Sequence, residues 1–268
     1  MTDTIAVTCL DESRQQYAEK LATKLKLALV THTTKNYPIL LTVMPSHIEL
    51  RSTDPKAPGP VYVDFLKGAL AHRHLFGGGR RGQLIARAVG LKTYSHPTVL
   101  DLTAGLGRDA FILATLGCNV TMLERNPIIA ALLKEGLARA QTAEWFKSLK
   151  LKLIETEAQS YLLKLKTSYD VIYTDPMYPI GKKSALVKKE MRVLRHVVGK
   201  DEDAPQLLEI ALKKAKYRVV VKRPRLALKL TDANPTVFYK GKSSRFDVYL
   251  ISDLKPVITL QKKSRNRR

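Results

Sequence analysis

Residues 98–125 read TVLDLTAGLGRDAFILATLGCNVTMLER, and this stretch decides the fold. Val99-Leu100-Asp101-Leu102-Thr103 is an apolar, β-prone run of the kind that forms a buried parallel strand. Ala104-Gly105-Leu106-Gly107 follows, where glycine permits a tight turn and a close approach of backbone to a ligand. From Arg108 an apolar period through Phe111, Ile112 and Leu116 predicts a helix that Gly117 ends. Val120-Thr121-Met122-Leu123 is a second strand closing on Glu124, 19 residues after Gly105. An acid about 20 residues past a glycine loop, at a strand tip, suits hydrogen bonding to a ribose diol. Glycine turns occur in any α/β domain; the spacing to Glu124 is what points to a nucleoside ligand.

Charge is unevenly spread around this block. The 268 residues are 45% hydrophobic, ample for a core, and carry a formal net charge of +22. Residues 98–181 hold 9 Lys/Arg and 9 Asp/Glu, whereas residues 182–268 hold 24 against 8. The first 97 residues hold 13 against 7. A neutral ligand-binding block with a basic final third implies a polyanionic partner, and the segregation favours a nucleic-acid face over a generally basic surface. Cys9 and Cys118 make no disulfide framework or metal spacing and read as buried thiols of a reducing compartment. The first residues lack a basic segment followed by an apolar one, and no apolar run nears the ~20 residues that span a bilayer. The expectation is a cytoplasmic protein with neither membrane nor metal partner.

Residues 1–70 break the strand–helix rhythm and are expected to form a small α+β domain. Strand-like 5–9 precedes a helical period over 12–29 through Tyr17, Leu21, Leu25 and Leu29. Strands are expected at 39–43 and 47–51, a proline-rich loop at 52–60 and a short strand at 61–65. Residues 71–82, AHRHLFGGGRRG, either form an anion-binding loop with Arg80 and Arg81 or a plain turn before a helix at 83–89. The remainder, 71–260, is read as the main domain, and 261–268 as a basic tail.

A second informative stretch is Tyr169-Asp170-Val171-Ile172-Tyr173-Thr174-Asp175-Pro176-Met177-Tyr178-Pro179. A buried strand runs into Asp175-Pro176-Met177-Tyr178, at the strand end where open α/β sheets bind ligands. A carboxylate or the prolyl carbonyl can accept the N–H groups of an exocyclic base amine, and Tyr178 can stack on the base. A strand at 151–154 leads to Glu157-Ala158, either a contact to an adenine edge or a solvated loop acid.

The segments LDLTAGLGRDAF, LERNP, DPMYP, KSALVKKEMRV and VVVKRP, within roughly residues 61–249, resemble the small-subunit ribosomal RNA methyltransferase J family. The resemblance implies a Rossmann-like, seven-stranded methyltransferase fold that uses S-adenosylmethionine to methylate the N2 amine of a guanosine in 16S rRNA. The substrate would be the rRNA or the small ribosomal subunit, an assembly intermediate included. By motif, Arg108 and Asp109 would flank the methionine end of the cofactor, and Glu124 and Arg125 would hold the ribose and adenine. Asp101, Gly105, Gly107, Glu157, Ala158 and Asp175 complete the candidate cofactor set, and Asp175, Pro176 and Tyr178 the catalytic one. Met177 stands where the wider amino-methyltransferase motif has a second proline.

A basic stripe of Lys188, Arg192 and Arg195 on a helix expected at 182–198 lies just past the catalytic loop. With Lys222, Arg223, Arg80 and Arg81 it forms the candidate RNA-binding set. A helix is expected at 201–214, and strands at 217–221 and 246–251. Two other readings stand beside this one. Gly105-Leu106-Gly107-Arg108-Asp109-Ala110 also fits the dinucleotide fingerprint of an oxidoreductase. The charge by itself fits a non-catalytic RNA-binding protein.

Overall fold

In the computed structural model the described residues are 4–57, 59–68, 83–177, 189–198 and 202–251. Arg80, Arg81, Tyr178, Lys188 and the tail 261–268 lie outside them, as do the side chains of Arg192 and Arg195. The seven-stranded expectation is met. Strands β4 (Thr98–Asp101), β5 (Asn119–Glu124), β6 (Leu151–Glu155), β7 (Val171–Thr174), β8 (Arg218–Pro224), β9 (Val237–Lys240) and β10 (Ser244–Leu250) form one sheet in the order β6-β5-β4-β7-β8-β10-β9. The first five run parallel, and β10 is antiparallel to both β8 and β9. A smaller sheet joins β1 (Ile5–Cys9), β2 (Ile39–Val43) and β3 (Ile48–Ser52).

Helices cover the two sheets, α1 (Gln15–Leu25) lying on β1 of the small one: the others are α2 (Leu84–Val89), α3 (Arg108–Thr115), α4 (Pro127–Ala140), α5 (Glu144–Lys147), α6 (Ala158–Lys164), α7 (Lys189–Val198) and α8 (Ala204–Lys214). One apolar cluster runs from Ile5 and Leu41 of the small sheet through Phe65 and Phe111 to Val99 and Val120. A second, on the opposite face, packs Leu207 and Leu208 of α8 on Ile172 and Val219. The small sheet therefore shares a core with the large one. Among the described residues no helix is long and apolar enough to cross a membrane.

The differences from expectation have local causes. Helix α1 stops at Leu25 because Lys26 turns into the left-handed region (φ 55°), its N–H satisfying the Ala22 and Thr23 carbonyls. Leu29, expected on that helix, instead bridges Val7. Of the strand expected at 61–65 only Val61 pairs, with Leu50. Phe65 serves the core instead, its ring 5.1 Å from Phe111 and 5.6 Å from Phe146. Edge strand β9 was not expected, since Val237-Phe238-Tyr239-Lys240 is short and mostly exposed.

The antiparallel end of the sheet is pinned by charge. Asp247, 2% exposed, accepts from Arg245 Nε and Nη2 at 2.8 and 3.1 Å, with Arg223 Nη1 at 3.7 Å. Arg223 is itself 3% exposed. It is therefore a buried counter-ion and presents no face to a phosphate, contrary to its place in the candidate RNA-binding set. Asp247→Ala should strip both guanidinium groups of their counter-charge and cost about 3–5 kcal/mol, read as a lower midpoint in urea unfolding. A loss within about 0.5 kcal/mol would show that the pair is dispensable.

Candidate active site at the carboxyl edge of the sheet

Strand order reverses between β4 and β7, and ligands of open α/β sheets bind in the crevice such a reversal creates. An open pocket lies there. Leu102, Leu106, Leu123 and Ile129 give it apolar walls; Glu124, Glu157 and Asp175 stand on its rim. Of the candidate cofactor residues, Gly105, Arg125 and Ala158 also line it. Asp101, Gly107, Arg108 and Asp109 are not among its lining residues.

The glycine loop is held by the acid its spacing picked out. Glu124 Oε2 accepts from Gly105 N–H and Oε1 from Asn126 N–H, both at 2.8 Å, so one carboxylate joins the tip of β5 to the loop. Gly105 and Gly107 both sit in the left-handed region, at φ 53° and 72°. A Cβ on Gly107 would stand 2.7 Å from Leu133 Cδ1, whereas one on Gly105 would meet no protein atom within 4 Å. Gly107 is favoured by its left-handed backbone and crowded by Leu133, and Gly105 leaves its backbone open towards the pocket.

The residues after Glu124 fasten the other wall. Arg125 Nη1 donates to Asp203 Oδ2 at 2.8 Å, drawing in the start of α8. Asn126 Oδ1 caps α4 through the N–H groups of Ile128 and Ile129, and its Nδ2 donates to Val197 O on α7 at 2.8 Å. Leu194, Val198, Asp203, Ala204 and Leu207 from these two helices line the pocket. No site role was foreseen for any of them; the available signs were the apolar seam through Leu194 and Val198 and the helix start at Asp203-Ala204-Pro205. Glu157, which lines the pocket, is also held at the start of a helix. It caps α6, accepting from Gln159 N–H at 2.8 Å and Ser160 N–H at 2.6 Å. Partial burial works to raise its pKa, but these N–H groups, the Ser160 side chain and Arg125 together hold it below the usual value.

Behind the rim lies an ionic cluster. Asp175 takes its place through its backbone N–H, which donates to Thr103 Oγ1 at 2.7 Å, and Pro176 beside it lines the pocket. Lys222 Nζ donates to Asp175 Oδ2 at 2.8 Å and to Asp109 Oδ2 at 2.7 Å. Tyr173 Oη donates to the same Asp109 oxygen at 2.6 Å. Burial works against the Lys222 ammonium, but Asp175 and Asp109 hold its pKa above the usual lysine value. Lys222 thus points into the site rather than outwards to RNA phosphates. Asp101 is buried under this cluster, its Oδ1 accepting from Thr103 N–H at 3.1 Å. Burial, opposed by that N–H and reinforced by Asp109, Asp175 and Glu124, pushes Asp101 up to about 8. Clustered carboxylates beside an apolar nucleoside slot suit a ligand carrying positive charge.

The Asp101 shift has a sign that can be measured. Between an unfolded value of 3.8 and a folded value of about 8, the native protein holds a proton that the unfolded chain has released. Stability contributed by Asp101 is therefore present at low pH, falls as pH rises through this window and levels off above it. Asp101→Asn, neutral at every pH, should melt higher than wild type above pH ~8 and alike below pH ~4. Parallel melting curves across that range would contradict the assignment.

A family model described as "Putative SAM-dependent methyltransferase" matches residues 20–251. Proteins named ribosomal RNA small subunit methyltransferase J are similar along almost the whole chain. That of Coxiella burnetii is 67% identical over 251 residues, covering 94% of this chain and 98% of its own. That of Tolumonas auensis is 50% identical over 252 residues, covering 92% and 98%. A crystallised SAM-dependent methyltransferase from Neisseria gonorrhoeae is 36% identical with a TM-score of 0.69, covering 92% of this chain and 96% of that one. Likeness of this extent, on a fold whose glycine loop, strand-tip acid and Asp-Pro turn meet at one pocket, places the chain in the ribosomal RNA small subunit methyltransferase J family of S-adenosylmethionine-dependent enzymes.

Proposed function

We propose that this methyltransferase modifies the exocyclic N2 amine of a guanosine in 16S rRNA, as free rRNA, small subunit or assembly intermediate. The observation that carries the reading is Asp175, its backbone held by Thr103 and its carboxylate by Lys222, in the lining of this pocket. The relatives' names supply the macromolecule. A substrate of that kind also places the protein in the cytoplasm.

S-adenosylmethionine supplies a methyl group already activated on a sulfonium, so alignment of the acceptor provides most of the rate. The chain's residues fit such a ligand. Glu124 would meet the ribose hydroxyls, with Gly105 backbone beside them, and Leu102, Leu123 and Ile129 would enclose the adenine. Asp109, under the loop, would offset positive charge at the methionine end, while Asp101 beneath it keeps its proton. Asp175 accepts one amine N–H, which turns the nitrogen lone pair towards the pocket, and its carboxylate takes up the proton the amine sheds. Tyr178 stacks on the guanine.

The RNA face is revised by the inward turn of Lys222 and the burial of Arg223. Ser244 pairs with Pro224 and Arg245 with Lys240, so the β9–β10 turn shares the sheet edge that carries Asp175. Lys240, Lys242 and Arg225 are exposed at that edge. Leu226 and Leu228, 90% and 87% exposed, follow directly. Cations flanking bare apolar side chains suit phosphates beside unstacked bases. Arg80, Arg81, Lys188, Arg192 and Arg195 remain part of the proposed face.

The test separates cofactor binding from chemistry. Glu124→Ala should weaken S-adenosylmethionine binding by about 1.5–3 kcal/mol in calorimetry, the range for a lost charged hydrogen-bond acceptor. Asp175→Ala should keep that affinity and RNA binding, yet nearly abolish methyl transfer to 16S rRNA. Normal turnover by Asp175→Ala at saturating cofactor and RNA would overturn the proposed centre.

A further inference from the structure

We infer that Lys222 is a positioning residue for methyl transfer: its ammonium, bridging Asp109 and Asp175, keeps Asp175 ionised and fixed in direction at the mouth of the pocket. This rests on the reading of Asp175 as the group that meets the target amine.

The geometry leaves little room for a purely structural role. Both Asp109 Oδ2 and Asp175 Oδ2 lie on Lys222 Nζ, at 2.7 and 2.8 Å, so the two oxygens are at most 5.5 Å apart. Carboxylates that close repel, and without a cation between them one takes up a proton. Asp101 on β4 and Tyr173 on β7 face the same pair, and both are held in their protonated forms; Glu124 on β5 faces Asp101. Between the Asp109 and Asp175 carboxylates, β8 places the Lys222 ammonium. Tyr173 Oη supports only Asp109.

The choice of lysine follows from the same arrangement. Asp109 begins a helix and Asp175 ends a strand, so their oxygens approach from different elements. A compact ammonium with three rotatable donors can serve both, whereas a planar guanidinium fork matches a single carboxylate. The backbone N–H of Asp175 on Thr103 fixes where the residue starts, and Lys222 fixes where its carboxylate points.

The experiment is a pH profile of single-turnover methyl transfer, with saturating S-adenosylmethionine and 16S rRNA or small subunits from cells lacking the enzyme. In Lys222→Met the acidic limb should move to higher pH by about 1–3 units, the range for losing one neighbouring opposite charge. Lys222→Met combined with Asp109→Asn removes the repulsion along with the cation and should bring the limb back towards wild type. Asp109→Asn alone leaves the ammonium to Asp175 and should move the limb down. A uniform loss of rate in Lys222→Met with no shift of the limb would show a structural lysine and overturn the inference. Failure of the double variant to restore the limb would overturn it too. Should Lys222→Met not fold, Asp109→Asn and the charge-balanced double variant carry the test by the same criteria. Full turnover by Asp175→Ala in this assay would instead bring down the reading of Asp175 on which the inference rests.

Discussion

Four carboxylates, Asp101, Asp109, Glu124 and Asp175, gather at one end of one sheet, and each has to be compensated there. Each solution shapes the site. Asp101 is buried and keeps its proton. Glu124 is taken up by the N–H groups of Gly105 and Asn126, which sets the glycine loop. Asp109 and Asp175 share Lys222. The result is a locally acidic cavity in a protein whose formal net charge is +22. The two signs serve two ligands: acids suit a cationic cofactor, and a basic exterior suits an RNA backbone.

The fold supplies the edge on which this happens. Five parallel strands bring the ends of β4, β5 and β7 together at the reversal of strand order, and β8 delivers Lys222 next to β7. The pairs Thr174–Val221 and Asp101–Tyr173 set the register, so Asp175, one residue past β7, stands beside Lys222 of β8. A slip of one residue on β8 would turn Lys222 to the opposite face and separate the pair. The shared core with the small sheet holds Phe65 against Phe111, under the helix that presents Asp109.

Much of this was legible in sequence because the informative residues are local. The run from Val99 to Glu124 encodes strand, loop, helix and strand through periodicity and spacing alone, and the DPMYP segment marks the end of β7. The dinucleotide reading of the glycine loop and the non-catalytic RNA-binding reading both give way to the family match over residues 20–251. What sequence could not show is partnership across long separations. Lys222 and Arg223 look like two surface cations, yet one turns to Asp109 and Asp175 and the other lies buried beside Asp247. Arg125 and Asp203, 78 residues apart, meet only because α8 packs over the pocket. A charged residue's role depends on which face of its strand is covered, and that is settled by the fold.

The central claim is that this site methylates a guanine N2 in 16S rRNA. Its most direct test is a mass-spectrometric map of small-subunit rRNA from cells lacking the protein, complemented with wild type or with Asp175→Ala. The account predicts that one N2-methylguanosine disappears, returns with wild type and stays absent with Asp175→Ala. An unchanged set of N2-methylguanosines, or restoration by Asp175→Ala, would contradict it.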